Sequence, residues 1–207
     1  MSAAPRVVLA SASPRRSALL AAAGLAFVVD PAHVAEDVPA GTAPVAAARL
    51  LAERKARAVA TRTAPPALVL GADTIVAVPA GSGFELLGKP ADERDAARML
   101  ALLSGTRHVV VTGLCVAVAG SPALHVDHEE TRVTMRALAR GEIAAYVASG
   151  EWRDKAGGYA IQEQAEAFVT ALEGGGFDNV VGLPVARALA LLEAAGGVCL
   201  APPAPRG

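Results

Sequence analysis

A turn of small residues that opens a helix with two arginines is the first stretch suited to chemistry. Ser11 and Ser13 follow a short apolar run, and Pro14 then precedes Arg15 and Arg16. The N-terminus of a helix favours an anion, because its N–H groups are free and its dipole end is positive. Two arginines oppose that dipole unless an anion lies between them and the helix. The pattern therefore predicts a phosphate site, and two solvated arginines are the alternative.

A second stretch places a carboxylate between two apolar runs, in the sequence Gly71-Ala-Asp73-Thr74. A lone carboxylate at the end of a valine- and leucine-rich strand is costly to bury unless it is paired or bound to a metal. Asp73 is therefore a candidate to hold a divalent cation or to accept a proton from water. An ordinary aspartate turn is the alternative.

A third stretch, Gly83 to Pro90, nearly matches the phosphate loop GxxxxGK[ST]. Pro90 stands where that motif needs a magnesium-binding hydroxyl, and Phe-Glu-Leu-Leu is typical of a strand. An ATPase of the phosphate-loop type is therefore not predicted. Lys89 is still able to reach a phosphate as a point charge.

A fourth stretch runs from Asp154 and Lys155 through two glycines to Gln162. Glycines let a backbone approach a ligand closely, so the stretch is either a binding loop or an ordinary connection. The histidines give a weaker signal. His125 and His128 lie three residues apart on a predicted strand, where they would face opposite sides and not share a metal.

The composition limits the class of protein. The chain has 207 residues, a net charge of −1, 53% apolar residues and seven aromatic residues, which fits one globular domain over 1–207. Near-neutral charge and few aromatics predict no nucleic-acid partner, and no membrane segment is expected. Cys115 and Cys199 lie far apart, which favours a reducing cytoplasm. Against 16 arginines there are only three lysines, Lys55, Lys89 and Lys155.

Strands are mixed with helices in the predicted order of elements, which indicates an α/β or α+β domain with a mixed sheet. A Thr42 cap and a Pro65-Pro66 stop bound one long helix, Asp92 caps another, and the tail after Gly196 is expected to fray. The predicted strands are 6–10, 26–30, 67–70, 74–78, 84–87, 107–119, 123–135 and 166–172. The predicted helices are 14–23, 42–62, 92–103, 141–149 and one from Pro184.

In this order the motifs resemble those of the Maf family of nucleoside triphosphate pyrophosphatases. The resemblance spans about Val8 to Leu192. It rests on Ser11–Arg16, Glu36, Glu53–Arg57, Gly71–Thr74, Gly88–Pro90, Leu103–Gly105, Asp154–Gln162 and Val181–Pro184.

The resemblance implies cleavage of a nucleoside triphosphate between the α and β phosphates, with Mg²⁺ or Mn²⁺ as the divalent metal. It also implies an elongated α/β fold similar to inosine triphosphatases, with a cleft between two lobes, and a homodimer. Asp73 matches the family's proton acceptor, and together with Glu36 it is expected to hold the metal. Phosphate binding is expected from Ser11, Arg15, Arg16, Lys55, Lys89 and Lys155.

Three positions match the branch of the family that prefers dTTP and UTP, namely Arg15, Thr74 and Gln162. The branch acting on 7-methyl-GTP instead has an aromatic residue, Gln and Glu at those positions. A Gln amide suits the neutral donor and acceptor edge of uracil or thymine. Modified pyrimidine triphosphates, 7-methyl-GTP and a regulatory role in septum formation remain alternatives.

Overall fold

Residues 5–197 are described in a computed structural model, and they form one seven-stranded sheet flanked by helices. The predicted frayed tail therefore lies, apart from Gly197, outside the described residues. The strands are β1 (Arg6–Leu9), β2 (Val28–Val29), β3 (Ala67–Ala80), β4 (Gly83–Leu87), β5 (Arg107–Val118), β6 (Leu124–Met135) and β7 (Val169–Gly174). The α-helices are α1 (Pro14–Ala22), α2 (Pro44–Ala60), α3 (Glu93–Leu103), α4 (Arg140–Ser149), α5 (Phe177–Val181) and α6 (Val185–Gly196).

The sheet is mixed, as predicted, with the order β2-β1-β3-β5-β6-β7 and with β4 paired to the far end of β3. β1 runs parallel to β2 and β3, whereas the pairs of β3, β5, β6 and β7 are antiparallel. Within residues 5–197 no helix is long and apolar enough to cross a membrane.

The central strand β3 corrects one prediction. Two strands, 67–70 and 74–78, were predicted with a break at Gly71-Ala-Asp73, but the chain continues as one strand from Ala67 to Ala80. The glycine has another purpose, because a Cβ atom on Gly71 would overlap the Ala52 carbonyl oxygen of α2. Gly113, on the neighbouring strand β5, meets the backbone of Ala48 in the same way. Both glycines therefore let α2 lie directly on the sheet.

A gap in the pairing of β3 creates the space for a site. β1 pairs with β3 up to Leu70, and β4 pairs with it only from Val76 onward. Between these points, residues 71–75 of β3 have no strand beside them on that edge among the described residues. Because neighbouring residues of a strand face opposite sides, this gap makes both faces of the sheet accessible at one place.

Two clusters of buried side chains lie on either side of this gap, which agrees with the expected two lobes. One cluster includes Leu9, Leu70 and Leu192, and the other includes Leu100 and Tyr146. Most predicted element bounds are confirmed within a few residues, and the Asp92 cap accepts a hydrogen bond from the Asp95 N–H at 2.8 Å.

Three bounds were wrong. The strand predicted over 26–30 contains only Val28–Val29, and residues 164–168 form a short 3₁₀ turn before β7. The helix predicted from Thr42 begins instead at Pro44, because the Thr42 hydroxyl donates to the Pro39 carbonyl at 2.6 Å and so closes a turn.

Candidate active site

The gap beside β3 opens into a cleft of about 510 Å³. Segments that follow β1, β4 and α4 surround it, because each of them leaves its element at this edge. All the site residues predicted from the sequence line this one cleft, namely Ser11, Arg15, Arg16, Glu36, Lys55, Asp73, Thr74, Lys89, Lys155 and Gln162. The three lysines of the sequence therefore share one site.

On the face of the sheet that packs against α2, the cleft holds a cluster of charges. The Lys55 ammonium donates to Glu36 Oε1 at 2.6 Å and also to Asp73 Oδ1. Lys89 donates to the other oxygen of Glu36 at 3.2 Å. Lys55 and Asp73 are both buried, with 8% and 7% of their surface exposed. Two ammonium groups thus balance two carboxylates.

The pKa of Glu36 reflects this pairing. Partial burial by itself would raise the pKa of the carboxyl group, because it disfavours the charged form. The hydrogen bonds and positive charges of Lys55 and Lys89 outweigh burial and lower the pKa below its ordinary value. Glu36 is therefore an anion near neutral pH.

On the opposite face, Arg16 is held by neutral acceptors only. Its Nε donates to the Gly182 carbonyl at 2.7 Å, Nη1 to Ser11 Oγ at 3.0 Å and Nη2 to Thr74 Oγ1 at 3.1 Å. No carboxylate within residues 5–197 forms an ion pair with this guanidinium, and burial lowers its pKa from the ordinary value. Its positive charge is therefore not balanced by a direct contact.

The turn before α1 differs slightly from expectation. The helix begins at Pro14 as predicted, but the Ser13 side chain forms no capping hydrogen bond. Ser11 instead accepts the Ser13 N–H at 3.2 Å, in addition to the bond from Arg16. This serine therefore orders the turn and holds the arginine at once.

Two of the predicted specificity residues present free side chains to the cleft. Within the part of the chain that the structure describes, neither Arg15 nor Gln162 donates to or accepts from another protein group through its side chain. Thr74 differs, because its hydroxyl contacts Arg16 and, at 2.9 Å, the hydroxyl of Thr112. All three residues line the cleft, but Thr74 is less free than the other two to contact a ligand.

The loop that carries Lys155 and Gln162 is held by contacts with strands β3 and β5. Lys155 lies 3.7 Å from Glu163, and Gly157 packs so closely that a Cβ atom there would come within 3.0 Å of Val76. The Tyr159 hydroxyl and His108 Nε2 are 2.8 Å apart and buried. These contacts hold the loop in place as one wall of the cleft.

His108, Thr112 and Asn179 are not among the site residues predicted from the sequence. The signal for the two β5 residues lies in strand register, since Thr112 stands directly opposite Thr74 in the pairing of β5 with β3. Asn179 lies in helix α5, where no such signal exists. His108 and Thr112 lie four residues apart on β5 and so share a face.

The two carboxylates of the cleft could supply part of the ligand set of a divalent metal ion. Within residues 5–197 no group of three or more His, Cys, Asp or Glu side chains could hold a metal alone. Glu36 and Asp73 nevertheless meet at Lys55 and offer hard oxygen donors. Mg²⁺ is often bound by one or two carboxylates together with water and substrate phosphates. The donor set therefore fits a divalent cation whose other ligands are water and phosphate oxygens.

Comparisons with known proteins point in one direction. The profile of the family described as Maf-like protein matches residues 6–195. A dTTP/UTP pyrophosphatase of Koribacter versatilis is 50% identical over 190 residues, covering 92% of this chain and 94% of the relative. The protein of the same name from Pelotomaculum thermopropionicum is 48% identical, covering 90% and 95%. That from Anaeromyxobacter dehalogenans is 50% identical, covering 93% and 95%.

A solved nucleoside-triphosphatase / dITP/XTP pyrophosphatase of Mycobacterium abscessus is a more distant likeness. It is 14% identical, covers 63% of this chain and 74% of its own, and superposes with a TM-score of 0.38. That likeness is too low to bear on activity.

Proposed function

The chain belongs to the Maf family, and from this premise we propose that it hydrolyses dTTP and UTP to the nucleoside monophosphate and pyrophosphate. The observation that carries the proposal is the single cleft in which an unbalanced guanidinium on one face of β3 meets paired carboxylates on the other. Relatives about 50% identical over most of the chain are named for this activity.

Arg16 is suited to bind the phosphates. A guanidinium has five N–H donors, and three of them are used to fix its position. One N–H on each terminal nitrogen remains for phosphate oxygens, and such charged hydrogen bonds are strong. Arg15, Lys89 and Lys155 add positive charge around the same cleft, where a triphosphate brings about four negative charges.

Asp73 is proposed as the proton acceptor. Its carboxylate is buried at the cleft wall, and the contact with Lys55 fixes its orientation. A carboxylate so placed is able to orient a water molecule and to accept its proton as that water attacks the α phosphorus. Fixed cations on the other side would stabilise the charge that develops on the leaving pyrophosphate.

Glu36 and Asp73 are proposed to hold Mg²⁺ or Mn²⁺ when the nucleotide binds. The ion supplies charge neutralisation at the phosphate oxygens. Metal preference is a separate question, which a titration with each ion answers.

Base selection is proposed to involve Arg15, Thr74 and Gln162. The Gln162 amide carries both a donor and an acceptor, which complements the neutral edge of uracil or thymine. Gln162 and Arg15 are free to contact a base. The contribution of Thr74 is at least partly indirect, because its hydroxyl already binds Arg16.

We further propose a cytoplasmic location and a homodimer. Cys115 is a buried free thiol, which is compatible with a reducing compartment. The dimer follows from the family resemblance, and light scattering after size exclusion would measure it directly.

A panel of triphosphates with Mg²⁺ and Mn²⁺ titrations tests the activity. We expect pyrophosphate release to be fastest with dTTP and UTP and to require a divalent ion. Faster turnover of 7-methyl-GTP would overturn the base preference. Nucleotide binding without pyrophosphate release from any triphosphate would overturn the enzymatic proposal.

A further inference from the structure

Two hydroxyl groups link Arg16 to a backbone carbonyl of helix α5. Arg16 Nη2 lies 3.1 Å from Thr74 Oγ1, which lies 2.9 Å from Thr112 Oγ1. The Thr112 hydroxyl in turn donates to the Asn179 carbonyl at 3.0 Å. Thr112 itself is fully buried and does not line the cleft.

The chemistry of the two ends fixes the direction of every hydrogen bond in this chain. A guanidinium only donates and a carbonyl only accepts. Thr112 therefore donates its one hydroxyl hydrogen to the Asn179 carbonyl, and its oxygen must accept from Thr74. Thr74 in turn accepts from Arg16 and donates to Thr112. Its other acceptor, the Gly182 carbonyl, lies at the longer distance of 3.5 Å.

The far end of the chain is held firmly. The Asn179 side-chain amide donates to the Val110 carbonyl at 3.1 Å and to Thr131 Oγ1 at 2.8 Å. These bonds fasten α5 to strands β5 and β6. The segment that follows α5 also supplies the Gly182 carbonyl that accepts from Arg16 Nε. The same short segment thus anchors Arg16 twice, once directly and once through two threonines.

We propose that Thr112 is a positioning residue of the site, acting through Thr74 on the Arg16 guanidinium. The proposal rests on the proposed pyrophosphatase activity. Without the Thr112 hydroxyl, the Thr74 hydrogen has only the Gly182 carbonyl to bind, and this carbonyl is also the acceptor for Arg16 Nε. The Gly182 carbonyl can accept both hydrogen bonds, but to donate to it well the Thr74 side chain would have to turn. The Thr74 oxygen would then no longer be held in place as the acceptor for Arg16 Nη2, and the guanidinium would lose one of its three fixed contacts.

The chain offers a matched control in Thr131. Its hydroxyl is as fully buried as that of Thr112, and it also binds Asn179, but it has no contact with Thr74 or Arg16. A loss of stability is therefore expected from Thr131→Val as well as from Thr112→Val, since both remove a buried hydroxyl and leave a partner unpaired. In Thr131→Val the Asn179 amide still donates to the Val110 carbonyl, and the Asn179 backbone carbonyl still accepts from Thr112. Only Thr112→Val is therefore expected to disturb Arg16.

The test measures kcat and KM for pyrophosphate release from dTTP, with the melting temperature of each variant. We expect Thr112→Val to lower kcat/KM about tenfold, mostly through kcat, because a misplaced donor fails at the developing charge of the transition state. Thr112→Ser keeps the hydroxyl and should stay within about twofold of the wild type, as should Thr131→Val. Thr112→Ala provides a second variant if the valine does not fold.

A double-mutant cycle supplies the decisive comparison. In a Thr74→Val background the chain is already broken, so adding Thr112→Val should cause no further loss of kcat/KM. Additive losses would overturn the proposal, as would wild-type kinetics in both Thr112→Val and Thr112→Ala. Equal kinetic losses in Thr131→Val and Thr112→Val would also overturn it. Failure of the wild-type protein to release pyrophosphate would instead refute the proposed function.

Discussion

Two adjacent residues of β3, Asp73 and Thr74, face opposite sides of the sheet and belong to contrasting networks. Asp73 joins an ionic cluster on the α2 side, in which Lys55 and Glu36 balance charge against charge. Thr74 joins a chain of neutral hydrogen bonds on the other side, which ends at a backbone carbonyl. Both networks reach one cleft because, among the described residues, β3 has no strand on the edge away from β5 at residues 71–75.

The difference shows how one cleft holds both charges needed for phosphate chemistry. If Arg16 were paired with a carboxylate of the protein, that carboxylate would neutralise its positive charge. Neutral acceptors fix its position and leave its charge available to an anion. On the other face, the lysine contacts keep two carboxylates together that would otherwise repel each other. The predictions below test this division, from the largest expected effect to the smallest.

Replacing the carboxylate of the ionic face should have the largest effect. We expect Asp73→Asn to lower kcat for pyrophosphate release about 10³-fold, since a positioned general base contributes 10²–10⁴-fold. Steady-state kinetics with dTTP measure it. Asp37→Asn removes an exposed carboxylate outside the cleft and should retain wild-type activity. A loss below tenfold in Asp73→Asn would remove Asp73 from the proposed role.

Replacing the guanidinium of the neutral face tests whether shape or only charge is needed. Lysine keeps the charge of Arg16 but cannot reach three acceptors in a plane and still present two donors. We expect Arg16→Lys to lower kcat/KM about 10²-fold, the scale of losing one aligned donor. The same assay measures it. Full activity would show that a point charge suffices and that the neutral network has no positioning role.

Low pH should destabilise the neutral face through His108. Burial lowers the pKa of this histidine from 6.5 to about 4, so the unfolded chain binds a proton at a pH where the folded protein does not. The free energy of unfolding should therefore fall as the pH drops from 6.5 toward 4. The expected slope from this residue is up to about 1.4 kcal/mol per pH unit.

Urea denaturation at several pH values measures that slope. The variant His108→Gln should show a smaller slope, whereas His33→Gln changes an exposed histidine and should match the wild type. An identical slope in His108→Gln and the wild type would contradict a neutral, buried His108.

The smallest effect is expected at the exposed edge of the ionic face. Lys89 is about half exposed and contacts one oxygen of Glu36. An exposed pair contributes up to about 1 kcal/mol, so Lys89→Arg should lower kcat/KM by about fivefold or less. Unchanged turnover would show that this site accepts a guanidinium and that its lysine has no special role.

Sequence patterns predicted the residues of the site better than the way they are held. Motif order was enough to gather Arg16, Asp73 and Lys155 into one cleft, although Asp73 lies within β3 and not at the end of a strand. The break predicted at Gly71 was wrong. A glycine that lets a helix pack closely on a strand cannot be distinguished by sequence from a glycine in a turn.

The Thr74 to Thr112 contact could not be predicted for a different reason. It depends on the register of two strands whose contacting residues are 38 positions apart, and no local pattern specifies that register. The shared site of the three lysines was predicted, since every one of them falls within a motif. Only the structure separates the buried Lys55 from the exposed Lys89.

The products formed from dTTP test the central claim most directly. Phosphorus NMR of dTTP, incubated with the wild-type protein and Mg²⁺, identifies which anhydride bond breaks. Cleavage next to the α phosphorus should give dTMP and pyrophosphate, and Asp73→Asn should leave the triphosphate intact over the same time. The appearance of dTDP and inorganic phosphate would contradict the account.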